Sequence, residues 1–142
     1  MTEKTIEQEV VEVLEAYADA VLRRDWAATL AMFTDDAVVI GTGVDEWYRG
    51  RADLVRGLDR DLEQATVLRL TYGTPEVGQQ GDAAWVAFPT TVTAQVGDSE
   101  ITIVGRATAV LVRRGGRWLI AQNHLSVPAA DQATGQSYPD AH

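Results

Sequence analysis

The 142-residue sequence contains no cysteine, only two histidines, and 12 basic residues against 21 acidic ones. The absence of cysteine excludes a disulfide framework, a thiol nucleophile and a thiolate metal site. The net charge of −9 argues against a nucleic-acid backbone or an anionic membrane as partner, because both attract basic patches. The sequence therefore predicts no nucleic-acid partner and no membrane partner.

Long apolar runs are missing as well. No stretch approaches the roughly 18 residues that a membrane-spanning helix needs, and the acidic N-terminal segment lacks the apolar core of a signal peptide. With 46% hydrophobic residues, the chain has the size and composition of one domain with a sizeable core. We therefore predict a cytoplasmic protein with a single domain over residues 1–127 and a flexible tail over residues 128–142, which show no periodicity.

Helical spacing characterises the first part of the chain. Apolar residues recur at three- and four-residue steps, and Thr5 with Gln8 fits a capping box, which predicts a helix over residues 6–24. Asp25 is placed to cap a second helix over residues 26–33.

A short strand and a third helix complete this half. Residues 37–41 are apolar and β-branched, which predicts a buried strand. A third helix is expected over residues 51–64, with Leu54, Leu58 and Leu62 spaced at i, i+4 and i+8.

The second half is predicted to be sheet. Pro89 and Gly105 interrupt long runs and indicate bends or bulges, while Gly97-Asp98 and Gly115-Gly116 suit tight hairpin turns. The predicted fold is α+β, a cone-shaped curved antiparallel sheet wrapped on three N-terminal helices. The runs rich in β-branched and aromatic residues are 66–74, 83–96, 101–113 and 117–127.

Several stretches in this order resemble the nuclear transport factor 2-like superfamily, in its SnoaL-like branch. The ending Trp118-x5-His124-x-Ser126 is also similar to the association domain of calcium/calmodulin-dependent protein kinase II. The resemblance implies a cone with an internal pocket and a dimer formed through the open sheet face. It leaves the activity open, because this superfamily includes isomerases, cyclases, dehydratases, epoxide hydrolases and assembly modules. The other stretches that carry the resemblance are residues 23–26, 33–43, 48–51 and 113–118.

Strand alternation indicates which side chains enter the pocket. In the last strand, Asn123 and Leu125 are expected to face inward and His124 outward. The predicted pocket is largely apolar and aromatic, which suits a small uncharged ligand. The candidate ligand-binding residues are Tyr17, Trp26, Phe33, Trp47, Tyr48, Phe88, Thr90, Asn123 and Leu125. The alternative interpretation is that these aromatic residues only fill the core.

Carboxylates are absent from the predicted strands. Enzymes that resemble this chain place an Asp or Glu inside the cone, where burial can raise its pKa towards neutrality. Here any general base must come from the helices or the rim, where Asp19, Asp45, Glu46 and Asp59 are the candidates.

No metal or cofactor is expected. His124 has no partners that would make a nucleophilic triad, and the sheet offers a metal ion no second histidine and no inward acid. A structural role for His124 is the favoured interpretation. Any enzymatic activity would be that of an isomerase, a cyclase or a hydro-lyase that works without metal.

Three functions remain open on sequence grounds. The first is binding of a small, largely apolar, uncharged ligand, with the reaction unassigned. The second is a cyclase or isomerase that acts on a hydrophobic ketone by acid–base chemistry. The third is a non-catalytic assembly module.

Association into a homodimer is predicted from the outer sheet face, which the helices leave uncovered. Its expected members are Trp85, Thr102, Val104, Thr108, Val110, Val112, Trp118 and Ile120.

Overall fold

Three helices and a seven-stranded sheet make up the protein in a computed structural model that describes residues 3–141. The helices are α1 (Ile6–Leu22), α2 (Trp26–Ala31) and α3 (Arg51–Gln64). The strands are β1 (Phe33–Ile40), β2 (Trp47–Arg49), β3 (Thr66–Tyr72), β4 (Glu76–Gln80), β5 (Ala83–Val96), β6 (Ser99–Arg114) and β7 (Arg117–Ser126). No helix or strand follows β7 as far as residue 141, and His142, which ends the predicted tail, lies outside the described residues. No helix of residues 3–141 has the length and apolarity to cross a membrane.

The predicted helix caps are present. Thr5 Oγ1 accepts the Gln8 N–H at 3.1 Å, and the Gln8 side chain accepts the Thr5 N–H at 2.8 Å, which completes the capping box. The Asp25 carboxylate accepts the Ala28 N–H at 3.0 Å at the start of α2. This helix is shorter than predicted because Phe33 already pairs with a residue of β7 as part of β1.

The sheet has the strand order β2-β1-β7-β6-β5-β3, and β4 pairs with β5 beside β3. Five of these strand pairings are antiparallel, and one, between β1 and β7, is parallel. The sheet is curved and does not close on itself, and the helices pack on its concave face. The predicted α+β cone fold is confirmed.

Two-residue hairpins join β5, β6 and β7 at the predicted positions. Arg114 pairs with Arg117 across Gly115 and Gly116, whose φ angles of 59° and 77° lie in the region that favours glycine. The register between β5 and β6 is unbroken from end to end, so neither Pro89 nor Gly105 marks a bulge in this pairing.

A β-bulge in β7 changes which side chains face the helices. Val110 pairs with Gln122 but Leu111 pairs with Ile120, so Ala121 is an extra, unpaired residue. The alternation therefore shifts by one position at Ala121. Trp118 and Ile120 face inward, not outward as predicted. Ile120 is buried, and the Trp118 indole packs on the core and donates its Nε1–H to Glu9 at 2.8 Å.

Two groups of buried side chains form the core. The first lies between α1 and the middle of β5 and β6, with Val10, Leu14, Val86 and Leu111 among its members. The second lies between β1, β7 and α3 and comprises Phe33, Ala37, Tyr48, Leu54, Leu58 and Ile120. The two groups pack either side of a space that neither fills, under the concave face of the sheet.

Candidate functional site

A cavity with two adjoining lobes occupies this space. The loop lobe, about 300 Å³, is bounded by α3 and by the loop of residues 41–46. The sheet lobe, about 220 Å³, is bounded by β3, β5, β6 and β7. The loop lobe meets solvent at exposed residues such as Arg24, Thr42 and Gln64. The residues shared by the two lobes are Tyr17, Val21, Asp61, Val67, Val92, Ile103, Asn123 and Leu125.

Eight of the nine candidate ligand-binding residues line this cavity. Trp26, Phe33 and Tyr48 belong to the loop lobe, and Phe88 and Thr90 to the sheet lobe. The remaining three that reach the cavity are Tyr17, Asn123 and Leu125, which border both lobes. Residues far apart in the chain are thus brought to one space by the curvature of the sheet over α1.

Trp47 is the candidate that the structure places elsewhere. Its side chain is 51% exposed and lines neither lobe, and the Arg49 guanidinium lies 5.1 Å from its ring centre. Alternation in the three-residue strand β2 is the reason, because Tyr48 points inward and its two neighbours must point outward.

Asp61, near the end of α3, is the carboxylate that reaches both lobes. Asp61 is an exposed residue by its accessible surface, and the cavity wall covers its carboxyl group on one side. Burial on that side is the main reason that the pKa of Asp61 rises from 3.8 to about 6. The negative charge of Glu46 raises this pKa further, and the Arg60 guanidinium acts in the opposite direction.

Asp61 was not among the site residues predicted from the sequence, although its spacing in α3 indicates an inward position. Asp61 follows Leu54 by seven residues and Leu58 by three, which places it on the inward stripe of α3. Leu62 lies eight residues after Leu54, about 80° around the helix at roughly 100° per residue, and its side chain is exposed. Leu62 therefore lies off the buried face that Leu54 and Leu58 form.

Two tyrosines bring phenol groups to the same cavity. Burial raises the pKa of Tyr17 to about 12, with a further contribution from the nearby Asp61 charge. Burial also raises the pKa of Tyr72, which lines the sheet lobe, and Tyr17 adds to that shift. Both phenols stay protonated at neutral pH and can donate hydrogen bonds.

The acids proposed as rim bases have different positions. Glu46 lines the loop lobe. Asp19 pairs with Arg23 at 2.9 Å on the surface, and Asp45 pairs with Arg60 at 2.9 Å. Asp59 is exposed on α3 and lines neither lobe. Of the four, only Glu46 reaches the cavity.

His124 lies on the outer face of β7, where its side chain is exposed. It borders a shallow depression with Arg106, whose Nε–H donates to Ser126 Oγ at 3.3 Å. Within residues 3–141, no three His, Cys, Asp or Glu side chains come together as metal ligands would.

The cavity thus combines an apolar wall with the carboxyl groups of Asp61 and Glu46, the Asn123 amide, and the phenols of Tyr17, Tyr48 and Tyr72. A carboxyl group that titrates near pH 6 can both accept and return a proton under neutral conditions. Phenol O–H groups and amide N–H groups can stabilise a developing oxyanion when they are held in an enclosed apolar site.

Comparison with solved structures places this fold among known relatives. A ketosteroid isomerase-like protein from Erwinia carotovora atroseptica SCRI1043 superposes with a TM-score of 0.78 at 23% identity, over 89% of this chain and 99% of that one. A putative calcium/calmodulin-dependent protein kinase II association domain from Xanthomonas campestris gives a TM-score of 0.79 at 19% identity, over 89% and 91% of the two chains. An NTF2-like protein of unknown function from Pseudomonas putida KT2440 gives 0.75 at 23% identity, over 96% and 95%.

At these identities the solved structures establish the fold alone. No curated protein matches the chain in sequence. The sequence profile of the SnoaL-like domain, however, matches residues 10–130, which include every residue of the cavity described above. The chain therefore belongs to the SnoaL-like domain family, and its fold is that of the NTF2-like structures.

Proposed function

We propose that this protein binds a small, largely apolar, uncharged carbonyl compound in the cone cavity and transfers a proton on it, as an isomerase or cyclase does. The observation that carries the proposal is the position of Asp61, a carboxyl group in the wall of both lobes of an otherwise mainly apolar cavity. An open cavity bearing such a group favours ligand binding and chemistry over a purely assembling role.

The proposed reaction begins with Asp61 as general base. Its ionised carboxylate removes a proton from the carbon next to the ligand carbonyl, and the electron pair of that C–H bond forms an enolate. Tyr17 or Asn123 donates a hydrogen bond to the enolate oxygen. In a β,γ-unsaturated ketone the enolate is a conjugated dienolate, and the proton on Asp61 returns to its γ carbon, which gives the conjugated isomer. In a ligand with a second carbonyl, the enolate carbon attacks that carbonyl carbon and closes a ring, and the alkoxide formed there takes the proton from Asp61.

The shape of the cavity limits the ligand. A lobe of about 300 Å³ lies at the lower end of the volumes that small-molecule pockets have. The sheet lobe is lined by Phe88, Ala107 and Ala109, which offer no charged group to a ligand. A compact hydrophobic ketone fits this combination of size and polarity.

Hydrogen–deuterium exchange of 2-tetralone tests the acid–base proposal. The compound is a bicyclic ketone with exchangeable protons beside its carbonyl, and NMR in D₂O follows their loss. We expect catalysed exchange by the wild-type protein and a roughly 10²- to 10⁴-fold slower catalysed rate in Asp61→Asn. Glu63→Gln removes one negative charge from an exposed position on the same helix and should exchange as the wild type does. Equal rates in Asp61→Asn and wild type would refute the catalytic role.

Binding is tested separately with 2-naphthol, an uncharged aromatic probe whose fluorescence reports an apolar site. Asn123→Leu removes an amide that borders both lobes and should change the affinity for this probe while the fold is retained. If Asn123→Leu lowers stability and leaves the affinity unchanged, Asn123 has a structural role only.

We also propose that two copies associate through the outer face of the sheet. Trp85 and Val104 are 49% and 66% exposed on this face, and Val110 pairs with Trp85 across β5 and β6. Apolar side chains grouped in this way are commonly covered by a partner, and a symmetric pair is the commonest assembly.

A further inference from the structure

In the loop of residues 41–46, the side chain of Glu46 turns back towards the loop and contacts its backbone. One Glu46 carboxylate oxygen accepts the Gly43 N–H at 2.7 Å. The backbone closes around this contact, because the Gly41 N–H donates to the Glu46 carbonyl at 2.9 Å and the Glu46 N–H donates to the Gly43 carbonyl at 3.1 Å. One hydrogen bond to the carboxylate and two within the loop backbone thus fix the carboxylate in the wall of the loop lobe.

Two glycines provide the space that this carboxylate occupies. A Cβ atom at position 43 would lie 2.6 Å from Oε1 of Glu46, and one at position 41 would lie 2.9 Å from Oε2. Neither glycine has a positive φ, so the side chain of Glu46, and not the backbone conformation, accounts for the need for glycine at both positions.

The cation nearest in sequence to Asp61 is engaged elsewhere. Arg60 donates two hydrogen bonds to the carboxylate of Asp45, at 2.9 and 3.0 Å. This ion pair anchors the loop to α3 and directs the guanidinium towards Asp45.

The groups that face Asp61 come from every element around it. Tyr17 of α1, Glu46 of the loop and Tyr48 of β2 line the loop lobe together with Asp61. Arg60, on the same helix as Asp61, is the nearby positive charge. Arg24, in the connection between α1 and α2, lines the same lobe but donates to Thr66 and to the carbonyl of Leu62. Of the eight ion pairs formed within residues 3–141, none includes Asp61 or Glu46.

We propose that Glu46 is a positioning residue for Asp61: the two-glycine loop fixes the negative charge of Glu46 in the wall of the loop lobe, which Asp61 also lines. This inference rests on the proposed role of Asp61 as the acid–base group. The proposal gives the loop a function. A general base that must also return its proton works best with a pKa near neutrality, and a neighbouring negative charge raises the pKa of a carboxyl group because it disfavours the ionised form. The Glu46 charge is the second cause, after burial, of the raised pKa of Asp61.

The test is an NMR titration of the Asp61 side-chain carboxyl carbon in the ligand-free protein. Glu46→Gln removes the charge but keeps an oxygen that can accept the Gly43 N–H. We expect the midpoint of the Asp61 titration to fall by roughly half a pH unit, as expected for loss of one nearby negative charge. Glu63→Gln, with the same change of charge at an exposed site on α3, should leave the midpoint unchanged.

A second variant moves the Glu46 charge without removing it. Gly43→Ala places a methyl group where the carboxylate lies and displaces it from the wall. The Asp61 midpoint should therefore fall in Gly43→Ala as well. An unchanged midpoint in Glu46→Gln, or an equal shift in Glu63→Gln, would overturn the inference.

These measurements are independent of catalysis. If 2-tetralone exchange fails to depend on Asp61, the proposed function is wrong, whatever the titration shows. If exchange depends on Asp61 but its pH midpoint is the same in Glu46→Gln and wild type, the function stands and the inference about Glu46 is wrong.

Discussion

The ring of Tyr48 lies directly against the backbone of Gly57. A Cβ atom at position 57 would lie 2.6 Å from Cζ of the phenol and 2.8 Å from a neighbouring ring carbon. Gly57 is thus the point at which α3 approaches β2, and this close approach brings Asp61, one turn further along the helix, to the cavity.

Gly57→Ala is expected to destabilise the protein by about 1–2 kcal/mol. The cost of overlap with a buried ring, about 1–3 kcal/mol, exceeds the gain of up to about 1 kcal/mol in helix propensity. Urea unfolding measures the change. The same substitution in a Tyr48→Leu background removes the overlap and should be neutral or stabilising there. A loss of equal size in both backgrounds would contradict the role of the contact.

Tyr48→Phe is expected to stabilise the ligand-free protein by up to about 1 kcal/mol. The Tyr48 hydroxyl is buried and has no hydrogen-bond partner within residues 3–141, so its removal relieves a desolvation cost. Tyr138→Phe, at a side chain that is 82% exposed, is the matched control and should leave the free energy of unfolding unchanged. Destabilisation by Tyr48→Phe would show that the hydroxyl has a partner in solution.

The raised pKa of Asp61 predicts a pH-dependent effect on stability. The folded protein holds the Asp61 proton up to about pH 6, whereas an unfolded chain releases it near the ordinary value of 3.8. The contribution of Asp61 to the free energy of unfolding is therefore fully present below pH 3.8 and is lost as the pH rises through 6. Asp61→Asn should be more stable than wild type at pH 7.5, with an advantage that shrinks towards pH 4. Urea midpoints for Asp61→Asn and Glu63→Gln across this range test the prediction, which fails if the two variants show the same trend.

Val104→Arg is expected to convert the proposed dimer into a monomer. The substitution places a charge at an exposed apolar position of the outer face, where a symmetric interface would bury it twice. Light scattering should give a mass of twice 15.4 kDa for the wild type and 15.4 kDa for the variant. Val44→Arg introduces the same charge at a fully exposed loop residue and should remain a dimer. A monomeric wild type would refute the interface.

The helices and hairpins were predictable because their signals are local. The capping box at Thr5, the cap at Asp25 and the glycine pair at 115 and 116 each act within four residues of chain. The parallel pairing of β1 with β7 joins segments more than eighty residues apart, and no local pattern encodes it. Strand β4 was missed because its sequence EVGQQ is mostly polar and pairs at the edge of the sheet.

The candidate site was predictable where the side chains of a strand alternate regularly between its two faces. It was not predictable where the inward face of a strand or helix differs from the one that the apolar spacing indicates. Asn123 and Leu125 reach the cavity because the two-residue period continues unbroken to the end of β7. Asp61 was not predicted because the leucines at every fourth position do not follow the inward stripe of α3, and Leu62 is exposed.

The bulge at Ala121 also bears on how relatives of this chain are aligned. On either side of Ala121, the residues of β7 pair one to one with residues of β6, so deletion of Ala121 would join the two parts of β7 into a regular strand. Trp118 and Ile120 would remain in the core, and Asn123 and Leu125 in the cavity. A one-residue gap at position 121 in a related sequence is therefore compatible with an identical site. A gap placed after it, between Gln122 and Leu125, would bring different side chains into the cavity.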